Sequence, residues 1–122
     1  MAVAFAAAAA ACSPGIRTVE VTIEHSRFEP PILEAAAGET VRFVIRNLDP
    51  IDHEFILGDQ AVQDRHESGT EPHHGAIPGE VSVPAGAWAA TTYRFPSSGR
   101  LLFGCHLPGH WAYGMRGTVH VA

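Results

Sequence analysis

Three side chains able to bind a metal ion are evenly spaced near the end of the chain: Cys105, His110 and Met115, with four residues in each interval. A thiolate, an imidazole and a thioether together favour a soft metal ion, and this combination is typical of copper sites. Zinc is the main alternative, although zinc sites rarely use a thioether. A loop containing Pro108 and Gly109 can turn tightly enough to present all three side chains to one ion.

A copper site of this kind takes two imidazoles, one thiolate and a weak axial thioether, so a second histidine is needed. His53 is the best candidate, because it begins a short strand directly after the segment 47–52. In a β-sandwich, that end of the strand can lie beside the loop that carries Cys105. We therefore expect one copper ion per chain, bound by His53, Cys105, His110 and Met115.

The elements that must position these residues read as short β-strands. From Ile16 onward, apolar and polar residues alternate with the period of half-buried strands, and no stretch keeps a helical period over about twelve residues. The predicted strands are 18–24, 32–34, 40–46, 53–58, 80–83, 89–95, 101–103 and 117–121. This pattern predicts one all-β domain over 16–122, a β-sandwich or barrel of seven or eight strands.

Several motifs resemble those of the plastocyanin/azurin family of cupredoxins. They are Phe28-x-Pro30, Ala37-Gly38-Glu39-x-Val41, Asn47, His53-Glu54-Phe55 and Cys105-x4-His110-x4-Met115. The intervals of four residues are most similar to those of auracyanin, rusticyanin and sulfocyanin, and the resemblance covers 16–122.

The resemblance implies a Greek-key β-sandwich that transfers one electron through a single type 1, or blue, copper ion alternating between Cu(I) and Cu(II). It also implies a role for each residue of the predicted site. His53, Cys105 and His110 would be the equatorial ligands, and Met115 would be the axial ligand.

The first fifteen residues have the character of a leader rather than of a domain. Residues 1–11 form an alanine-rich apolar run that is about as long as a signal-peptide core and too short to span a bilayer. Ala9-Ala10-Ala11-Cys12 resembles the cleavage box of bacterial lipoproteins, which implies export to the periplasm and a lipid anchor on Cys12. Simple cleavage and a chance alanine tract are the alternatives. We expect 1–15 to be a leader and linker, with no disulfide between Cys12 and Cys105.

The segment 59–78 interrupts the strand pattern and is rich in histidine. We expect one helical turn near 60–66 and an ordered path near the copper end, because long loops in compact domains are often functional. His66, His73 and His74 fit either a solvated polar loop or an auxiliary metal or partner surface, since imidazole binds copper and zinc. His106 follows the predicted thiolate ligand and is expected to lie behind the site or at the surface.

Composition limits the functions that need to be considered. The chain has 122 residues, 46% of them hydrophobic, and a net charge of −5, which argues against nucleic acids and anionic membrane surfaces as partners. The main interpretation is an electron carrier that is not an enzyme. We expect it to be a monomer, with redox or copper-handling proteins as partners. The alternatives are a copper-binding protein for delivery, storage or resistance, and a small copper enzyme with a second site.

Overall fold

The computed structural model describes residues 15–69 and 74–122. Over those residues the chain forms nine β-strands and two short α-helices. In chain order they are β1 (Arg17–Glu24), β2 (Arg27–Glu29), β3 (Ile32–Ala35), β4 (Thr40–Asn47), β5 (His53–Gly58), α1 (Gln60–Glu67), β6 (Glu80–Val83), β7 (Trp88–Arg94), β8 (Gly99–Gly104), α2 (His110–Tyr113) and β9 (Arg116–Val121).

The strands form two mixed sheets that pack face to face. The first sheet has the order β2-β1-β4-β7, and the second has the order β3-β9-β8-β5-β6. β1 runs parallel to β4 and β3 runs parallel to β9, whereas the other pairs are antiparallel. The predicted all-β sandwich is confirmed.

The described residues contain more strands than the seven or eight that we expect from the sequence. The additional strand is β2, which pairs with the end of β1 and buries Phe28 in the core. Its three residues are too few to show a periodic pattern, so the sequence reads there as a break between strands.

Aromatic side chains fill the space between the sheets. Phe55 lies near the centre, with its ring centroid 5.5 Å from that of Phe43 and 5.3 Å from that of Phe103. Phe28 meets Phe103 edge to face at 5.3 Å. Because each fully buried Phe stabilises the fold by roughly 1.5–3 kcal/mol, this cluster is a main source of stability.

Strand β5 is buried along its whole length because both of its faces are covered. Phe55 and Leu57 face the core. Ile56 and Gly58 alternate with them and lie on the side of helix α1, which packs on the outside of β5 and β8. The predicted helical turn is confirmed as α1, which begins after Asp59; the Asp59 side chain accepts a hydrogen bond from Val62 N–H at 3.0 Å. No helix among the described residues is long and apolar enough to cross a bilayer.

Candidate metal centre

Three of the four predicted ligands bring their donor atoms together at one end of the sandwich. Cys105 Sγ lies 3.3 Å from His110 Nδ1 and 4.0 Å from His53 Nδ1, and the two Nδ1 atoms are 3.2 Å apart. His53 and Cys105 are buried, while His110 is partly exposed. A sulfur and two imidazole nitrogens therefore converge on a space of the size that one metal ion needs.

A carboxylate fixes the orientation of His53. His53 Nε2 lies 2.7 Å from Asp49 Oδ2, and both side chains are almost fully buried. An N–H at Nε2 that donates to Asp49 leaves the lone pair on Nδ1, the atom that faces Cys105. Histidines that bind metals are commonly held by a carboxylate in this way.

Asp49 is itself held in place by the backbone. His25 N–H and Ser26 N–H donate to its two oxygens at 2.7 and 2.8 Å, in a turn where both residues have φ of 53°. Burial would raise the pKa of Asp49, but the hydrogen bonds from Ser26, His53 and His25 outweigh it and lower this pKa below its usual range. Asp49 is therefore an anion beside His53.

Buried Asn47 ties the loop before His53 to the neighbouring strand. Its Nδ2 donates to Ile51 O at 2.8 Å and to Val83 O at 3.0 Å, and its Oδ1 accepts from Asp49 N–H at 3.0 Å. The side chain thus fastens β4, β6 and the loop between β4 and β5 to one another. This explains how a residue without metal-binding chemistry positions His53.

The loop from Cys105 to Met115 is closed by glycines and by its own backbone. Gly109 and Gly114 flank helix α2 with φ of 83° and 113°, a conformation that favours glycine. Cys105 N–H donates to Met115 O, and Met115 N–H donates to His110 O, both at 3.1 Å. Met115 is fully buried at the end of this loop. The four predicted ligands thus share one end of the sandwich, and metal binding by them stays a prediction.

Of the predicted donors, the Cys105 thiol must lose a proton when a metal ion binds. Burial raises the pKa of the Cys105 thiol to about 11, so a metal ion must displace its proton to bind the thiolate at neutral pH. Burial and the neighbouring His53 lower the pKa of His110, which favours the neutral ring with a free lone pair. A buried sulfur beside two imidazoles is a donor set for a soft or borderline cation.

His106, next to Cys105, is buried on the opposite face of the sheet. Its Nε2 lies 2.6 Å from Gln63 Oε1 and its Nδ1 lies 2.5 Å from Glu67 Oε2, while its ring stacks on Trp111. Both ring nitrogens are thus engaged by oxygen atoms of α1. His106 therefore lies behind the predicted site, which is one of the two positions that we expect for it.

The described part of the segment 59–78 lies close to the predicted site. His74 Nε2 is 3.2 Å from Glu54 Oε2, beside His53, and the ring centroids of His66 and His74 are 5.2 Å apart. His73 and Cys12 lie outside the described residues, as do residues 1–14 of the predicted leader.

Four residues that support the site have no role that their spacing in the sequence assigns: Asp49, Glu54, Gln63 and Glu80. Only Asp49 carries a local signal, an acidic residue four positions before a predicted histidine ligand. Glu54 contacts the N–H of His106, which is 52 residues away in the chain, and no spacing in the sequence indicates such a contact.

Comparison with known proteins identifies the family. A family model described as a cupredoxin-like domain matches residues 1–72. The copper-resistant cuproprotein CopI of Rubrivivax gelatinosus is 41% identical, over 86% of this chain and 66% of its own length. The protein of the same name from Pseudomonas aeruginosa is 33% identical, over 86% of this chain and 76% of its own length. The chain thus spans about two thirds to three quarters of these relatives.

Solved structures show the same fold at lower identity. Auracyanin B superposes with a TM-score of 0.73 and 24% identity, over 87% of this chain and 88% of its own. Reduced rusticyanin gives a TM-score of 0.55 and 22% identity, over 88% of this chain and 81% of its own. These matches agree with the family that the motifs indicate. The chain belongs to the cupredoxin-like family.

Proposed function

We propose that this chain is a copper-binding protein that acts in copper handling, that is, in delivery, storage or resistance. The observation that carries the proposal is the convergence of Cys105 Sγ with two imidazole nitrogens, 3.3 and 4.0 Å from the sulfur, in a buried site. The relatives from R. gelatinosus and P. aeruginosa, whose names describe copper-resistant cuproproteins, support the choice of copper and of resistance. In this proposal His53, Cys105, His110 and Met115 hold one copper ion.

The chemistry of the donors supports copper over harder cations. Thiolate and thioether sulfurs favour copper, and the Asp49 carboxylate would increase the basicity of the His53 ring that it orients. Cys105 releases its proton on binding, and His53 and His110 bind as neutral rings. Copper bound there would supply a centre that alternates between Cu(I) and Cu(II).

One-electron transfer through a type 1 copper site is the second candidate. It is favoured by the rigidity of the donors: Asp49 holds His53, and backbone hydrogen bonds hold Met115 to His110 and Cys105. Donors that move little allow a metal to change oxidation state with little rearrangement. Both candidates describe a carrier or copper-binding protein rather than a catalyst.

We also propose that the protein works outside the cytoplasm, in the periplasm. The lipoprotein-like segment before Cys12 supports export, and a lipid on Cys12 would attach the domain to a membrane. Its partners would then be extracytoplasmic redox or copper-handling proteins.

The experiment compares copper tolerance with copper release. Cells that lack this gene should lose copper tolerance and regain it with the wild-type gene but not with Cys105→Ser. The purified protein should pass Cu(I) to a competing chelator. Full copper tolerance in the deletion strain, together with copper that no chelator removes, would contradict the handling role and leave electron transfer as the better account.

A further inference from the structure

The five-stranded sheet presents metal-binding side chains on both of its faces. Because neighbouring residues of a strand point to opposite faces, His53 faces inward and Glu54 faces outward. In the same way, Cys105 belongs to the core while His106 lies against α1. The outward-facing residues therefore lie directly behind the proposed copper site, in a space closed by helix α1.

Two histidines and a glutamate form a second cluster in that space. One donor atom from each of His66, His74 and Glu80 lies within 4.8 Å of the other two. They come from α1, from the segment before β6, and from the first residue of β6. Three such atoms can reach a common ion with small rotations, since zinc–nitrogen and zinc–oxygen bonds are about 2.0–2.2 Å long.

Hydrogen bonds hold the His66 ring and the His74 backbone in place. His66 Nδ1 lies 2.8 Å from Val62 O, so that its N–H donates there and its Nε2 faces the cluster. His74 is fastened to β6 by two bonds: its N–H donates to Ser82 Oγ at 2.8 Å, and Ser82 N–H donates to His74 O at 3.0 Å. The His66 ring thus has the support that metal-binding histidines usually have, a ring N–H that donates to a backbone carbonyl.

Glu80 is a buried carboxylate that has a partner among the described residues at only one of its two oxygens. It is 4% exposed, and its Oε1 lies 3.0 Å from His66 Nε2. If the His66 ring is neutral, two lone pairs face each other across that gap, and a cation between them removes the repulsion. Glu80 Oε2 is also buried, and none of the described residues gives it a hydrogen bond. Buried carboxylate oxygens without partners are rare and call for a ligand.

A second buried carboxylate adds to the charge. Glu54 Oε1 accepts the N–H of His106 at 2.8 Å, and Glu54 Oε2 lies 3.2 Å from His74 Nε2. Two buried carboxylates, Glu54 and Glu80, thus adjoin the pair of imidazoles. A divalent cation would balance both charges while His66 and His74 stay neutral.

We propose that His66, His74 and Glu80 form a second metal site, for a divalent transition-metal cation. Imidazole and carboxylate donors suit Zn²⁺ and Cu²⁺, whereas Cu(I) prefers the sulfur donors of the other site. Cu²⁺ binds more tightly than Zn²⁺ at a given set of such donors, so it occupies this site when copper is in excess. This second ion goes beyond the single copper site of the proposed function.

The competing account is a buried group of ion pairs in which His66 and His74 are both protonated. Counting metal ions separates the two. We would saturate the full-length protein with Cu²⁺, remove loosely bound ions by gel filtration, and measure copper per chain together with the visible absorption of the Cys105 site. The double variant His66→Ala/His74→Ala should bind one copper fewer per chain than the wild type and keep the thiolate absorption band.

The matched control is His120→Ala, which removes an exposed histidine and should keep the wild-type copper count. An equal copper count in the wild type and the His66/His74 variant would overturn the proposal, as would the same loss in the control. The first outcome would leave the Cys105 site, and hence the proposed function, intact.

A milder variant guards against loss of folding. Glu80→Gln keeps the size of the side chain and removes the charge. It should weaken Zn²⁺ binding at this site by at least about tenfold in competition with a chromophoric chelator. Unchanged Zn²⁺ affinity in folded Glu80→Gln protein would mean that Glu80 binds no cation, and the proposal would be wrong.

Discussion

Among single residues, the pairing of Asp49 with His53 decides which nitrogen of His53 is available to a metal. An imidazole can carry its proton on either nitrogen, and the 2.7 Å contact between Asp49 Oδ2 and His53 Nε2 places it on Nε2. The Asp49 oxygens also accept the N–H groups of His25 and Ser26. The carboxylate therefore links the turn after β1 to the proposed copper site.

This pairing predicts that Asp49→Asn weakens copper binding without abolishing it. An amide cannot accept hydrogen bonds on both sides as the carboxylate does, so one backbone N–H loses its partner and the His53 ring loses its anionic neighbour. Changes of this kind typically cost about 10–100-fold in metal affinity. Competition with a copper chelator measures the loss.

Asp52→Asn is the matched control, since Asp52 lies in the same loop and bonds only to the exposed Ala85 N–H among the described residues. Equal copper affinity in Asp49→Asn and the wild type would show that Asp49 does not support the site.

Among the elements, helix α1 covers the outer face of β5 and β8 and is fastened to them by one buried side chain. Gln63 Nε2 donates to Ile56 O at 3.0 Å and to Leu102 O at 3.1 Å, while its Oε1 faces His106 Nε2 at 2.6 Å. One side chain thus satisfies two carbonyls of the sheet and the ring of His106. The helix is part of the folded core rather than an appended loop.

Gln63→Ala should therefore be strongly destabilising. It leaves two buried carbonyls and the His106 ring without their partner, and it opens a cavity under α1. We expect the free energy of unfolding to fall by about 2–3 kcal/mol, measured by urea denaturation. Gln60→Ala, at an exposed position of the same helix, should change it by less than about 0.5 kcal/mol. Equal effects of the two substitutions would contradict the role given to Gln63.

For the whole molecule, patterns within the strands predict the fold better than they predict the site. Residues such as Val21 and Ile23 alternate with polar neighbours, so the two-sheet sandwich follows from the sequence. Strand β5 shows no alternation of buried and exposed residues, because α1 buries its outer face. Nothing in the sequence near β5 indicates that a helix packs there. The predicted ligands Cys105, His110 and Met115 share one loop and can be recognised by spacing. The supporting contacts of Asp49, Glu54 and Gln63 cannot, because most join distant parts of the chain.

An ion pair between residues that are distant in the chain joins the start of β1 to the turn before β4. Arg17 donates to Glu39 Oε1 at 2.7 Å and to Glu34 O at 2.9 Å, and Ala36 N–H donates to Glu39 Oε2. The Arg17 guanidinium and the Ala36 N–H hold the pKa of Glu39 below its usual range. The pair therefore fastens both sheets at the end of the molecule where the chain enters the domain.

A carboxyl with a lowered native pKa stabilises the fold above its unfolded pKa of about 4.3, and this stabilisation is lost as the pH falls through the native value. Glu39→Gln should thus lower the free energy of unfolding at neutral pH by no more than about 1 kcal/mol, since the pair is partly exposed. The difference should vanish in acid. Unfolding curves of both proteins across the acid range provide the check, and a difference independent of pH would contradict the assignment.

Copper binding by the Cys105 sulfur can be tested by the visible absorption of the Cu(II)-loaded protein. The wild type should show an intense thiolate-to-copper charge-transfer band, and Cys105→Ser should lack it while remaining folded. Cys12→Ser, which removes the other cysteine of the chain, should keep the band unchanged. A wild type without an intense band, or a Cys105→Ser spectrum equal to that of the wild type, would contradict the account.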